Sequence, residues 1–260
     1  MNVTNLYVMY GANPASAIST TPASGSAMFD RSASIGADTW VTATSRMTTS
    51  TSLESTKATT NIAHLEIQPR VASHEAPENA LFLGLGGGTL TQACLKFLEL
   101  EDVEAIELRP DVPRLAMQYL GLADDPRLYV RIGDALELLD SAESCDLLFV
   151  DLYTDTGPAP GHLAWKFLEN CQKRLSPGGW LVINQWGNDD GKPLGAALLR
   201  GLFHRHYWEI PVKEGNVILL VPAELDQPLN FDALTARAEA LAPRLGYSLQ
   251  PLLDVLRPAS

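Results

Sequence analysis

The chain has 260 residues, a formal net charge of -12, 46% hydrophobic and 19% charged residues, enough to bury one substantial core with a smaller appended segment. That acidic balance excludes a nucleic-acid binder, which needs clustered Lys and Arg against phosphates, and suits a neutral or cationic small partner. No run of about 18 apolar residues could span a bilayer, and Met1-Asn2-Val3 opens without the basic region and apolar run of a signal peptide, so no membrane partner is expected.

Cys94, Cys145 and Cys171 form no CxxC pair and sit in or beside apolar runs, the habit of small buried hydrophobes in a reducing, cytoplasmic setting. In the first sixty residues Asp30, Asp38 and Glu54 balance Arg31, Arg46 and Lys57. The acidic excess therefore falls on the remainder.

Residues 1–76 form a Ser, Thr and Ala-rich segment with little hydrophobic periodicity. Trp40 to Thr44 and Ala63 to Ile67 could be short strands of a small N-terminal β segment, or the segment could be irregular. From 77 to 225 short apolar runs alternate with helix-length amphipathic segments, the pattern of βαβ units and a mostly parallel sheet. Ala80 to Leu83 reads as a buried strand. Thr89 to Leu98 reads as a helix, its Leu90, Ala93, Cys94 and Phe97 falling on one face. Val103 to Leu108 is a second strand, followed by a helix from Pro110 to Leu120 with proline in its first turn. Leu128 to Ile132 is a third strand, and Asp134 can cap a helix from Ala135 to Leu139.

Cys145 to Leu152 is the most apolar run and is expected at the sheet centre, since strands covered on both faces read as continuous hydrophobic stretches. A helix from His162 to Leu175 follows, stopped by Ser176-Pro177-Gly178-Gly179. Trp180 to Gln185 is a fifth strand and Gly195 to Phe203 a helix. Trp208 to Val212 and Asn216 to Val221 pair as a C-terminal antiparallel hairpin around Lys213-Glu214-Gly215. Residues 226–260 form a helical extension, with helical spacing from Phe231 to Leu245.

The chemistry falls at the ends of these strands. The first turn reads Leu83-Gly84-Leu85-Gly86-Gly87-Gly88-Thr89, where glycines admit a ligand to the backbone and the helix start offers free N–H groups. A bare strand-to-helix connection would use the same glycines. Glu107 ends the second strand about 20 residues on, where a carboxylate can accept from both ribose hydroxyls. Gly133-Asp134 borders the same crevice, with Asp134 placed to accept from an adenine amino group, to cap its helix, or both. Asp151, Tyr153 and Asp155 follow the fourth strand on a Gly/Pro loop, where two carboxylates suit a positively charged amine. Gln185 and Trp186, at the end of strand five, are candidates for the pocket wall. His162, His204 and His206 lack metal-ligand spacing, so no metal is expected.

Together these residues resemble the spermidine synthases, or polyamine aminopropyltransferases, which share the Rossmann-like class I adenosylmethionine-dependent methyltransferase fold. The resemblance covers about 80–221. It rests on Gly84-Leu85-Gly86-Gly87-Gly88, Ala105-Ile106-Glu107 with Asp111, Arg131-Ile132-Gly133-Asp134-Ala135, Asp146 to Asp151 followed by Gly157-Pro158-Ala159, and Leu175 to Gly179 leading into Asn184-Gln185.

It implies that the glycine turn with Thr89, Glu107, Gly133 and Asp134 binds the nucleoside of decarboxylated S-adenosylmethionine or S-adenosylmethionine. It further implies that Asp151 is the base activating an amine acceptor such as putrescine; Asp155 and Tyr153, on the same loop, are expected to help place that amine. Members of the family are commonly dimers or tetramers, so a homodimer is what the resemblance implies. Three departures are visible: Thr89-Leu90 stand where the family has Asp-Gly, Thr154 stands where it has a second Asp, with Asp155 next door as a substitute, and the family's N-terminal amine-binding Gln, Tyr and His-Glu positions have no match in Met1 to Asn79. A buried ammonium without its own carboxylate needs an acidic partner, which Thr89 cannot supply. The resemblance therefore admits two alternatives, a methyltransferase using intact S-adenosylmethionine and a non-catalytic nucleoside-binding protein.

Overall fold

The computed structural model describes residues 76–154, 157–213, 215–226 and 228–259. The two N-terminal strand expectations and Asp155 lie outside the described residues.

An eight-stranded sheet organises the chain, with order β10-β8-β9-β7-β4-β1-β2-β3. β1 (Asn79–Leu83), β2 (Asp102–Glu107), β3 (Leu128–Ile132), β4 (Cys145–Val150) and β7 (Leu175–Trp186) run parallel. β8 (Trp208–Pro211) and β9 (Asn216–Pro222) form the expected hairpin, and β9 lies antiparallel to β7. This is the mostly parallel sheet that the alternating pattern predicts, in the Rossmann-like, class I methyltransferase arrangement that the resemblance implies. The apolar fourth strand is central, and all six of its residues are buried. The order turns back at β1, between β2 and β4, the switch point at which open α/β sheets hold ligands.

Strand alternation divides the core into two layers. Ala80, Phe82, Val103, Ala105, Leu147, Phe149, Trp180, Val182, Ile218 and Leu220 share one face with Leu90, Cys94 and Leu95 of α1 (Thr89–Phe97). Phe82 and Phe149 stack there with ring centroids 4.6 Å apart, worth about 1 kcal/mol beyond their burial. Leu81, Leu83, Leu148, Leu181, Ile183, Val217 and Leu219 pack on the other face. That layer is closed by α3 (Ala135–Leu138), α4 (Trp165–Lys173) and α5 (Ala196–Leu202).

Several boundaries move for physical reasons. The helix expected over His162 to Leu175 is confined to α4, because Gly161 makes a turn whose carbonyl takes the N–H of Ala164. Leu175 already pairs with Cys145 in the sheet. Ser176-Pro177-Gly178-Gly179 does not end the helix but sits inside β7 as an irregularity, Cys145 facing Leu175 while Leu147 faces Trp180. The second helix is α-helical only at α2 (Asp111–Leu115) and widens into a π-helical turn over Ala116–Leu120.

The tail forms α6 (Phe231–Leu245), as its spacing predicts, and α7 (Gln250–Leu253). Leu229, Leu252 and Leu256 link their small core to the α1 side of the sheet. A short β10 (Arg257–Pro258) then adds to β8, a pairing that two residues could not signal in advance. No helix among the described residues is long and apolar enough to cross a membrane.

Candidate active site

The period of two that sorts the core also places the polar groups. Glu107 continues the face of Val103 and Ala105, Asp151 that of Leu147 and Phe149, and Asn184 and Trp186 that of Trp180 and Val182. Asn216 lies on the same face of β9, opposite Trp186 in the register. One face of one sheet edge thus carries two carboxylates, two amides and an indole.

The glycine turn is tied to both carboxylates. Gly84 donates to the carbonyl of Ile106 at 2.9 Å, and Asp151 donates to that of Leu83 at 2.9 Å, so the ladder runs past the strand ends. Gly84 has φ +96, and a Cβ there would run into the Asp151 carbonyl. Only glycine meets both conditions. Gly86, at φ +53, has open space where its Cβ would stand, whereas Gly88, at φ +72, faces the Leu122 side chain. Gly87 faces Leu120. Gly88 starts α1 with no side-chain cap, and no acidic residue stands in the first turn at Thr89.

Glu107 is buried at 8% exposure. Its Oε2 accepts from the N–H groups of Leu85 (3.1 Å) and Gly86 (3.2 Å), and its Oε1 accepts from that of Arg109 (3.0 Å). A carboxylate offers about four acceptor positions, so Oε1 keeps one for an incoming hydroxyl. Asp134 caps α3, taking the Leu136 N–H on Oδ1 at 2.8 Å. Gly133, just before it, donates to the Glu107 carbonyl at 2.9 Å, which brings these two predicted positions beside each other.

Asp151 sits in a different environment. Burial pushes its carboxyl pKa up, and the Asn184 Nδ2–H bond to Oδ1, 2.8 Å, pulls it partly back. Asn184 Oδ1 in turn accepts from Asn216 Nδ2 at 2.7 Å. Tyr153 donates its hydroxyl to the Asn184 carbonyl at 3.0 Å, and its oxygen lies 3.4 Å from Asn216 Nδ2. Burial, with the Asp151 charge adding to it, holds the Tyr153 phenol well above its ordinary pKa. The loop expected after Asp151 is a miniature hairpin, β5 (Tyr153–Thr154) against β6 (Gly157–Pro158). Trp186, 43% exposed, lies over it with its ring 6.2 Å from that of Tyr153.

Gln185 takes the other face of β7. Its Nε2 lies 3.0 Å from His162 Nε2, its Oε1 accepts from the Trp186 N–H at 2.8 Å, and His162 Nδ1 reaches the Ala159 carbonyl at 2.6 Å. With no exposed surface, Gln185 braces the loop from behind. The expected pocket role is corrected for this residue, because neighbours on a strand point to opposite faces. Asn184 and Asn216 are the polar residues that sequence reasoning did not single out. Asn184 interrupts the apolar run of β7 and Asn216 opens that of β9, the signal that could have found them. Among the described residues no three His, Cys, Asp or Glu side chains group as a metal site requires.

A glycine turn after β1, an acidic end to β2 and a half-buried carboxylate after β4, all at one switch point, accompany an α/β fold of the class I methyltransferase type. The spermine/spermidine synthase domain model matches residues 58–188, half of the chain, which belongs to that family. A polyamine aminopropyltransferase of Thioalkalivibrio sulfidiphilus is 34% identical over 121 residues, 44% of this chain and 42% of its own. The chain covers 42% and 58% of the first two curated relatives it matches. Among solved structures, human methyltransferase-like protein 13 in complex with SAH superposes with a TM-score of 0.58 at 25% identity, over 74% of this chain and 89% of its own. A spermidine synthase in complex with the transition state analogue AdoDATO shares the fold, with a TM-score of 0.53 at 19% identity over 71% of this chain and 72% of its own.

Proposed function

We propose that the protein is a spermidine synthase-like transferase, moving an aminopropyl group from decarboxylated S-adenosylmethionine to an amine acceptor such as putrescine. The observation that carries this reading is the placement of Asp151, whose main-chain N–H bonds the Leu83 carbonyl beside the glycine turn and whose Oδ1 takes the Asn184 amide N–H, with desolvation raising its proton affinity. An amine attacks only as the neutral base, and a carboxylate with raised affinity is a better proton acceptor near neutral pH. Family membership and the aminopropyltransferase relatives support the choice of reaction.

In this mechanism Gly84, Gly86, Gly87, Gly88 and Thr89 cradle the donor, with Glu107 on the ribose and Gly133 and Asp134 toward adenine. A sulfonium is already a good leaving group, so catalysis is mainly in-line placement. The amine nitrogen bonds to the carbon beside sulfur, and the carbon–sulfur bond breaks. Methylthioadenosine leaves as a neutral thioether while Asp151 takes the proton. Asp155, Tyr153 and Trp186 place the amine. Reducing, cytoplasmic surroundings suit the three buried free thiols, and the chain's net negative charge favours a cationic substrate.

Methyl transfer from intact S-adenosylmethionine is the second reading, favoured by the absence of an acidic residue in the first turn of α1. Calorimetric titration with decarboxylated adenosylmethionine, adenosylmethionine and methylthioadenosine tests the reading. Tighter binding of the decarboxylated donor is the expected result. Preference for the intact cofactor would turn the assignment to methyl transfer, and binding of none would overturn the nucleoside site itself.

A further inference from the structure

Asp151 is held by a directional chain of amides. Asn216 approaches Asn184 with its N–H, so it can be satisfied only by the Asn184 oxygen. That fixes which end of the Asn184 amide faces Asp151, and the end presented is the N–H. Asn216 is itself fixed, being 5% exposed and lying within reach of the Tyr153 oxygen. The register explains how β9 reaches a residue of β7: Asn184 faces Ile218 and Trp186 faces Asn216, so the two asparagines are diagonal neighbours on one face.

We propose that Asn216 is a positioning residue that locks the Asn184 amide with its N–H toward Asp151 Oδ1, and thereby directs the proton taken up by Asp151 to Oδ2. This rests on Asp151 being the proton acceptor of the transfer. Without the lock, Asn184 can turn over and accept a hydrogen bond from protonated Asp151, which favours the protonated form. With it, the turned amide would set N–H against N–H. Among the described residues Tyr153 is the titratable group that interacts with Asp151, and it stays protonated through the range concerned because its pKa is raised.

The test is an NMR titration of the Asp151 side-chain carboxyl in the ligand-free full chain, the signal being identified by its loss in Asp151→Asn. Asn184→Leu removes the donor and is expected to raise the midpoint by about one pH unit or more. Asn216→Leu is expected to raise it by less, and to add nothing when Asn184 is already leucine, because Asn216 acts only through Asn184. Equal shifts from Asn216→Leu in both backgrounds, or no shift in either, would overturn the proposal. If leucine at 216 prevents folding, Asn216→Ser gives the same comparison with a smaller side chain. The acid limb of the kcat profile is expected to move with the midpoint. If the midpoint moves while that limb does not, the amide lock stands and the assignment of Asp151 as proton acceptor falls.

Discussion

The two carboxylates of the site lie on the same face of the same sheet, Glu107 buried and Asp151 half-buried, yet they are satisfied in opposite ways. Glu107 is surrounded by backbone: three main-chain N–H groups, two of them from the glycine turn, converge on it. Asp151 is surrounded by side chains, taking one amide N–H that is itself oriented by a second amide. Main-chain donors fix the Glu107 carboxylate in place, the geometry required of the hydroxyl-binding role proposed for it. A sparser side-chain environment leaves burial dominant and raises proton affinity, which suits a group that must accept a proton and give it up again.

The junction between the two halves is where a substitution should do most damage. Gly84→Ala must place a Cβ into the Asp151 carbonyl at φ +96, and is expected to cost about 3 kcal/mol or more, or to prevent folding. Gly86→Ala, at φ +53 with open space before it, should cost only about 1 kcal/mol. Urea denaturation of the two variants distinguishes them, and equal losses would mean that the turn is not pinned to Asp151.

Next in size is the nucleoside half. Glu107→Gln replaces acceptor capacity with an NH2 group facing backbone N–H groups, and is expected to weaken methylthioadenosine binding roughly 10- to 100-fold. Asp151→Asn should leave that affinity nearly unchanged. Calorimetry on both variants checks the division, and a matching loss from Asp151→Asn would erase it.

The smallest effect concerns stability and pH. Because the Asp151 pKa is raised in the folded state, its contribution to stability is complete below the unfolded carboxyl value of about 4 and is lost as pH rises through the folded value. Asp151→Asn carries no charge to bury. Its Tm should therefore exceed the wild type at neutral pH and coincide with it near pH 4. A variant less stable than wild type at neutral pH would show that the buried charge is well compensated, against the reading above.

The same contrast separates what was legible in the sequence from what was not. Gly84 to Gly88, Glu107 and Asp134 belong to a motif whose parts lie within one βαβ unit, so spacing along the chain brings them together. Asp151 was legible as the polar end of an apolar strand. Its partners were not, because Asn184 meets Asn216 only through the antiparallel register of β7 and β9, and registers are set by packing and turn geometry across the whole sheet. Gln185 was misplaced by one step of that alternation. Ser176 to Gly179 carries every mark of a helix stop, yet β4 offers a pairing partner on either side and the segment is absorbed into β7.

Transfer by Asp151→Asn, at saturating adenosyl donor and amine, tests the central assignment most directly. With nucleoside affinity intact, turnover is expected to fall by about 10²- to 10⁴-fold, as loss of the proton acceptor requires. Full turnover by this variant would contradict the account, because the reaction would then proceed without the carboxylate proposed to take the proton.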